Sequence, residues 1–294
     1  MSFVRKFSAI DALKKEPLFI DHLRLDIVDG NRSVRGGPRF VFPAIRNERI
    51  DFYWGGGKLF SYDTTYGFRT HHKYASVLHG NENNYVSEDK LRSKPIRLIE
   101  NFREGYVRIK ENCEKYSRPE ASGVASLYER FSCARKGAPS PVILDIEASF
   151  SKNDSREKDR IDIVSLDTTT GVIRFIEAKH YDNNDLRSSS GNPAVLGQIA
   201  QYAKQLHLKS GAILEAYRNH AQVINDLFSA SIPMPKKVDE SPILLIFGFD
   251  NEQLVHLNNV IKPPLRKNDL RVYSVGEIKR SELKTVFTGG NEKW

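Results

Sequence analysis

Cysteine is scarce in this sequence, which holds only Cys113 and Cys133 among its 294 residues. Two thiols cannot form the disulfide framework of a small secreted domain. Neither of them has a second Cys or a His at zinc-ligand spacing, so no cysteine-based zinc motif is present. This usage favours a reducing compartment, and we expect a cytoplasmic location.

Long apolar runs are also missing. No stretch approaches the roughly 18 consecutive apolar residues that a bilayer-spanning helix needs. The first residues, MSFVRKFSAIDALKK, contain no apolar run long enough for a signal peptide. We therefore expect no membrane segment and no membrane partner. The hydrophobic share of 39% and the charged share of 28% are ordinary for a globular protein.

Basic residues outnumber acidic ones and give a formal net charge of +8. Residues 1–120 hold 22 lysines and arginines against 16 aspartates and glutamates, whereas residues 121–294 hold 23 against 21. Most of the surplus therefore lies in the N-terminal part. A basic surface of this kind permits a polyanionic partner such as DNA, although a solvated surface explains the charge equally well.

The first 118 residues are predicted to form a small β-rich domain. Short β-prone runs cover residues 40–42, 49–54 and 58–62, and the three glycines at 55–57 predict a hairpin between the last two. Residues 91–115 have apolar side chains near helical spacing. If DNA binds here, its contacts are expected among basic residues that we chose for charge density alone: Arg46, Arg49, Lys58, Arg69, Lys73, Arg92, Lys94 and Arg97.

The pattern changes at the polar segment 117–120, which contains a helix-stopping Pro. We therefore place a second domain at residues 119–294. Its helices are predicted at residues 121–136, 194–208 and 251–261, and its strands at residues 141–150, 161–166, 172–180, 242–249 and 270–275. The predicted fold class is α/β, a mixed β-sheet flanked by helices with an α-β-β-β-α-β core, preceded by the smaller β-rich domain.

Two acids stand in neighbouring strand-like runs, Asp162 in the run 161–166 and Glu177 in the run 172–180. If residues 168–171 form a four-residue hairpin loop, Asp167 faces Val172. Each residue before Asp167 then faces the corresponding residue after Val172, so that Asp162 faces Glu177. Opposed residues have Cβ atoms roughly 4.5–5.5 Å apart. Two carboxylates at that distance repel each other unless a cation such as Mg²⁺ lies between them.

Lys179 shares a strand face with Glu177, because side chains alternate along a strand. A lysine beside a metal can orient or deprotonate an attacking water, or stabilise the charge of a phosphoryl transition state. The metal acidifies bound water and polarises the phosphoryl oxygen. The pattern is therefore typical of phosphodiester hydrolysis. A surface salt bridge is the plainer alternative.

Asp162 and the segment Glu177-Ala178-Lys179, between helices in the expected order, resemble the PD-(D/E)XK nuclease superfamily over about residues 121–275. The resemblance implies Mg²⁺, or Mn²⁺ in its place, held by Asp162, Glu177 and the backbone carbonyl of Ala178, with Lys179 catalytic. Family members often carry a Gln in the next helix with a Tyr four residues later, which implies a helper role for Gln198. Gln201 is the competing choice. The chain departs from the family in having Ile161 where a Pro is usual.

Two further acids are weaker candidates for the site. The first-helix acid of the family would be Glu129, which lies about 140° around its helix from Val124 and could simply be solvated. Glu147 shares a strand face with Asp145 and Ser149, opposite the apolar face. Both are kept as additional acids.

The expected function is a Mg²⁺-dependent endonuclease of restriction, defence or repair type, acting on DNA. Three alternatives stay open: a non-catalytic nucleic-acid-binding module on the same fold, an RNA-directed nuclease, and a nuclease activated by a ligand of the N-terminal domain. Cutting both strands with one active site calls for a homodimer or for sequential nicking, and the sequence leaves both open.

Overall fold

A computed structural model describes most of the chain. The described residues are 3–30, 39–77, 85–93, 98–150, 160–188, 191–278 and 283–290. Lys94 and Arg97, two of the basic residues chosen from the sequence, lie outside the described residues, and so does the side chain of Arg92.

The chain divides into two compact units. The N-terminal unit comprises Arg5–Ala138 with Gln222–Ile232, and the C-terminal unit comprises Met1–Val4, Pro139–Ala221 and Pro233–Trp294. The division after Ala138 differs from the sequence boundary at 118/119, since the helix that begins at Pro119 belongs to the N-terminal unit. The extent of an independently folding domain stays a prediction.

The N-terminal unit contains a five-stranded antiparallel sheet with strands in sequential order. Its elements are α1 (Ile10–Leu13), a π-helix (Phe19–Leu23), α2 (Arg24–Val28), β1 (Phe42–Ile45), β2 (Ile50–Trp54), β3 (Gly57–Asp63), β4 (Gly67–His71), α3 (His72–Ala75), β5 (Tyr85–Ser87), a 3₁₀-helix (Glu88–Ser93), α4 (Tyr106–Lys115) and α5 (Pro119–Phe131). The expected β2–β3 hairpin is confirmed. β4, β5 and the first helices were not anticipated from the sequence.

The turn between β2 and β3 requires glycine. Gly56 has φ +91°, and a Cβ there would lie 2.7 Å from the backbone carbon of Ala121. The N–H of Gly56 donates to the hydroxyl of Tyr128 over 3.0 Å. The hairpin tip therefore fits against α5 only because residue 56 has no side chain.

The C-terminal unit contains a mixed six-stranded sheet whose main path runs β11-β10-β8-β7-β6, with β9 paired to β8. Its elements are β6 (Val142–Ser149), β7 (Arg160–Asp167), β8 (Val172–His180), a 3₁₀-helix (Asn184–Leu186), α6 (Ala194–Phe228), β9 (Lys237–Val238), β10 (Ile243–Phe247), α7 (Asn251–His256), a π-helix (Leu257–Ile261), α8 (Lys262–Arg266), β11 (Arg271–Val275) and α9 (Lys284–Thr288). The part of α6 after Ala221 belongs to the N-terminal unit. The predicted α/β class, with a mixed sheet flanked by helices, is confirmed.

The first three strands of this sheet form an antiparallel meander, and β10 then runs parallel to β8. The β7–β8 register begins with Asp167 opposite Val172 and reaches Ile163 opposite Ile176. This is the register expected from the sequence. One further step of the same pairing places Asp162 opposite Glu177.

Helix α6 is much longer than the predicted helix 194–208, because it continues to Phe228. Gly211 weakens a helix by about 1 kcal/mol relative to Ala. Beyond it, however, Ile213, Ala216 and Tyr217 are buried. Burial of one large apolar side chain contributes about 1.5–3 kcal/mol, so packing outweighs the glycine. Within the described residues, no helix combines the length and apolarity that a membrane crossing requires.

Candidate active site

Glu177 and Lys179 form a buried ion pair on β8. The strand lies between β7 and β10 in the sheet, and Glu177 is only 2% exposed. The Lys179 Nζ lies 2.8 Å from Glu177 Oε1. The two side chains therefore share one face, as the period of a strand requires. A buried charge of either sign is costly without its partner, so each of the two side chains compensates the charge of the other.

Gln198 reaches the same carboxylate from α6. Its Nε2 donates to Glu177 Oε1 over 2.7 Å, and the hydroxyl of Tyr202 lies 2.9 Å from the same nitrogen. The Tyr202 hydroxyl in turn donates to the backbone carbonyl of Arg160 on β7. The four-residue spacing puts Gln198 and Tyr202 on one side of the helix. The competing residue, Gln201, is exposed.

Asp162 is half-buried beside this pair. Its Oδ2 accepts a hydrogen bond of 2.8 Å from the backbone N–H of Ala178, the residue between Glu177 and Lys179. The structure thus brings Asp162, Glu177, Lys179 and Gln198 together around neighbouring positions of β7 and β8. One oxygen of each carboxylate is held by protein donors.

Asp185 also belongs to this group, although the sequence did not reveal it. It lies in the 3₁₀-helix after β8, and its Oδ2 is 3.5 Å from the Lys179 Nζ. Asn183 caps the turn, since its side chain accepts from the N–H of Asp185. The acid-rich and amide-rich run at 182–185 was visible in the sequence, but the direction of an irregular turn was not.

Glu147 lies on β6, in the same cross-strand row as Asp162 on β7 and Glu177 on β8. The pairs Ile146–Ile163 and Ala148–Ile161 flank it, so it lies across from Asp162. Its backbone has φ +49°, which is unusual for a residue other than glycine. Glu147 is exposed, and its carboxylate lies 3.6 Å from the guanidinium of Arg160. The structure therefore places this additional acid next to the site, paired with a basic residue.

Glu129 has a different setting, on α5 in the N-terminal unit. Arg39 binds its carboxylate with three contacts of 3.1, 3.1 and 2.8 Å. Burial alone would lower the pKa of Arg39, but the hydrogen bonds and charges of Glu129 and Glu114 outweigh it and raise the pKa. Glu129 thus serves as one half of a largely buried ion pair within its own unit.

The basic residues chosen as DNA contacts are largely engaged inside the N-terminal unit. The ammonium or guanidinium groups of three of them lie within 3.9 Å of the buried carboxylate of Asp51: Arg46, Arg49 and Lys58. Arg69 pairs with Asp63 and lies 4.7 Å from the ring centroid of Tyr66. These four residues therefore have a structural role within the sheet. Lys73 lies against tyrosine rings instead.

A divalent ion fits the donor chemistry of the C-terminal site. Within the part of the chain that is described, no three His, Cys, Asp or Glu side chains converge as a metal cluster. Magnesium, however, commonly takes just one or two carboxylates, with waters and substrate phosphate completing its shell. Asp162 and Glu177 are such a pair, and two carboxylates in one row of a sheet are stabilised by a cation between them.

Comparison with known proteins does not add to this geometry, because no family model, curated protein or solved structure matches the chain. A buried lysine, an amide and three acids are grouped at the sheet, and two of these acids, Asp162 and Asp185, are partly exposed. Such a group can neutralise and position an anionic substrate and a water molecule.

Proposed function

We propose that this chain is a Mg²⁺-dependent nuclease that hydrolyses phosphodiester bonds of DNA, with the resemblance to the PD-(D/E)XK superfamily as a supporting argument. The observation that carries the proposal is the grouping at Glu177. Its Oε1 accepts from both Lys179 and Gln198, while Asp162 is bonded to the next residue of the same strand. A lysine and an amide do not converge on one buried carboxylate in an ordinary surface salt bridge.

Asp162, Glu177 and the carbonyl of Ala178 would hold the metal. When bound, the ion would supply positive charge at a phosphoryl oxygen and lower the pKa of an adjacent water. Mn²⁺ is expected to substitute, since it takes the same oxygen ligands.

The protein groups have separate tasks. Lys179 keeps an ammonium group at the edge of the acid pair, where it stabilises negative charge that develops on the phosphate. Gln198 fixes the orientation of the Glu177 carboxylate, and Tyr202 holds Gln198 in turn. Because these groups are fixed before substrate binds, little reorganisation is needed when the phosphate becomes more negative.

DNA is the proposed substrate because the chain carries a net charge of +8 and Mg²⁺ neutralises a phosphate backbone in its site. We propose an endonuclease of restriction, defence or repair type. Both cysteines are buried and reduced, which accords with a cytoplasmic enzyme. A homodimer would allow cleavage of both strands, and a monomer would nick them in turn.

A plasmid assay tests the proposal. Purified protein with Mg²⁺ or Mn²⁺ should convert supercoiled plasmid to nicked or linear forms, and EDTA should stop the reaction. Glu177→Gln and Lys179→Met should each lower the rate by at least about 100-fold, the usual cost of losing a group that stabilises transition-state charge. Circular dichroism should show that both variants remain folded.

Matched controls separate loss of the site from loss of charge. Glu252→Gln and Lys267→Met remove the same charges from exposed positions on α7 and after α8 and should cut as fast as the parent. A folded Glu177→Gln protein that cuts at the parental rate contradicts the proposal. If the protein cleaved single-stranded RNA in preference to DNA, the substrate would be RNA and not DNA.

A further inference from the structure

The N-terminal unit contains a basic cavity of about 280 Å³ between α3 and α4. This volume is near the lower end of the range for small-molecule sites, about 300–1,000 Å³. Among the described residues, three cations line it, namely Lys73, Arg108 and Lys115, against a single carboxylate, that of Glu111. Arg108, Glu111 and Lys115 recur at the three- and four-residue spacing that puts side chains on one side of a helix. The lining therefore favours an anion.

The walls of the cavity are held in place by side-chain to backbone hydrogen bonds. The amide of Asn112 donates to the carbonyls of Tyr74 and Ser76 over 2.9 and 3.0 Å. The guanidinium of Arg108 donates to the carbonyl of Val77 over 2.9 Å. These bonds tie α4 to the segment that follows β4. The cationic side chains thus project from a fixed frame, which lowers the entropy lost when a ligand binds.

Tyrosine rings accompany the cations. The Nζ of Lys73 lies 5.0 Å from the ring centroid of Tyr116 and 5.2 Å from that of Tyr74. Tyr116 is 38% exposed, and it is one of the residues that line the cavity. An exposed tyrosine beside a lysine offers a base a surface for stacking and offers a phosphate a positive charge.

The neighbouring His71 reports the same positive environment. Its ring lies 5.5 Å from that of Tyr74. Burial, which has the largest effect, and the positive charges of Lys73, His72 and Lys58 together lower the pKa of His71 to about 4. His71 is therefore uncharged at neutral pH, and the cationic side chains of the cavity lining are Lys73, Arg108 and Lys115.

We propose that this cavity binds a nucleotide, with the phosphate against Lys73, Arg108 and Lys115 and the base on the ring of Tyr116. The site is distinct from the acid pair of the C-terminal unit, and the assignment does not rest on the proposed nuclease activity. A free mononucleotide and the phosphorylated end of a nucleic-acid strand share this chemistry.

Isothermal titration calorimetry of the full chain in EDTA tests the assignment, because hydrolysis and metal binding are then absent. The probes are deoxyadenosine monophosphate, deoxyadenosine, inorganic phosphate, and a single-stranded hexamer with and without a 5′-phosphate. Lys73→Gln and Lys115→Gln should each weaken binding of the monophosphate by at least about tenfold, the size of one hydrogen bond to a charged group. Lys14→Gln, at an exposed position of the same unit, should leave it unchanged.

Tyr116→Ala separates recognition of the base from recognition of the phosphate. This variant should weaken binding of the monophosphate by about tenfold, since stacking on one base contributes about 1–3 kcal/mol. Binding of inorganic phosphate should hardly change. Tighter binding of the monophosphate than of the phosphorylated hexamer supports a free nucleotide, and the reverse order supports a strand end. Absence of binding at millimolar concentration, or equal binding of deoxyadenosine and its monophosphate, overturns the assignment.

Discussion

The carboxylate of Asp162 accepts a 2.8 Å hydrogen bond from the backbone N–H of Ala178. The bond crosses from β7 to β8 at the level where the acids lie. It therefore fixes the position of one acid relative to the strand that carries the other. The proposed metal site would therefore be largely formed before the ion arrives, because the backbone of a sheet would hold the ligands.

Asp162→Asn should remove metal-dependent stabilisation. A ligand that binds only the folded state stabilises it by about 2.7 kcal/mol at 100 times its dissociation constant. The parent chain should therefore unfold at a higher urea concentration with millimolar Mg²⁺ than with EDTA, whereas Asp162→Asn should show no difference. Asp250→Asn, at the N-cap of α7, serves as the control and should keep the Mg²⁺ effect. A Mg²⁺ effect that survives in Asp162→Asn would mean that the ion binds elsewhere.

Gln198→Ala and Gln201→Ala form a matched pair on one helix. Gln198 holds the Glu177 carboxylate over 2.7 Å, whereas Gln201 is exposed. Loss of a group that orients a metal ligand typically costs about 10–100-fold in activity or metal affinity. We expect a fall of that size in plasmid cleavage for Gln198→Ala and less than twofold for Gln201→Ala. Equal cleavage rates for the two variants would show that Gln198 has no role in the site.

The grouping of Asp162 and Glu177 could be predicted from the sequence because it depends on two local rules. The four-residue loop sets the register of the hairpin, and the two-residue period of a strand puts opposed side chains on one face. Both rules act within residues 161–180, and the observed pairing follows them. The choice between Gln198 and Gln201 was harder, because it requires the rotation of α6 relative to the sheet.

Other features depend on contacts between distant parts of the chain. Glu129 is bound by Arg39, 90 positions away, so no local pattern could show that its charge is already paired. Asp185 reaches Lys179 through an irregular turn whose direction has no periodic signal. The extension of α6 past Gly211 depends on the burial of Tyr217, whose hydroxyl donates to Asp145 on β6. Helical propensity alone would end the helix earlier.

Gly56→Ala should destabilise the N-terminal unit more than Gly67→Ala does. Both positions have positive φ, +91° and +63°, so both variants carry the backbone strain of a Cβ in that region. Only at position 56 would the Cβ also meet backbone, 2.7 Å from Ala121, since nothing lies within 4 Å at position 67. We expect a loss of about 1 kcal/mol in the free energy of unfolding for Gly67→Ala and about 2–4 kcal/mol for Gly56→Ala.

Urea denaturation followed by the fluorescence of Trp54 measures this difference within the N-terminal unit, where that side chain is 2% exposed. Equal losses for the two variants would show that the hairpin tip can move away from α5. In that case the close approach of Gly56 to Ala121 would not contribute to stability.

Asp167→Asn should lower the free energy of unfolding at neutral pH and make it less dependent on pH in the acid range. Burial tends to raise the pKa of Asp167, but hydrogen bonds from Thr170 and Thr169 and the charge of Arg174 outweigh it, so the pKa is lowered. A carboxyl with a lowered folded-state pKa stabilises the fold above its unfolded pKa, about 3.9 for Asp. That contribution is lost as the pH falls through the folded-state pKa.

The measurement is the free energy of unfolding in urea at pH 7 and at pH 3, for the parent, Asp167→Asn and the control Glu252→Gln. At pH 7 we expect Asp167→Asn to be less stable than the parent by about 1–2 kcal/mol, the size of a hydrogen bond to a charged group. The gap should narrow at pH 3, because the unfolded parent then takes up a proton at Asp167 more readily than the folded parent does, while Glu252→Gln should follow the parent throughout. A gap that is constant with pH would contradict a lowered pKa.

Asp167 closes the turn that sets the β7–β8 register, so its loss should also lower the cleavage rate. A one-residue slip of this register would carry Asp162 to the opposite face of the sheet from Glu177.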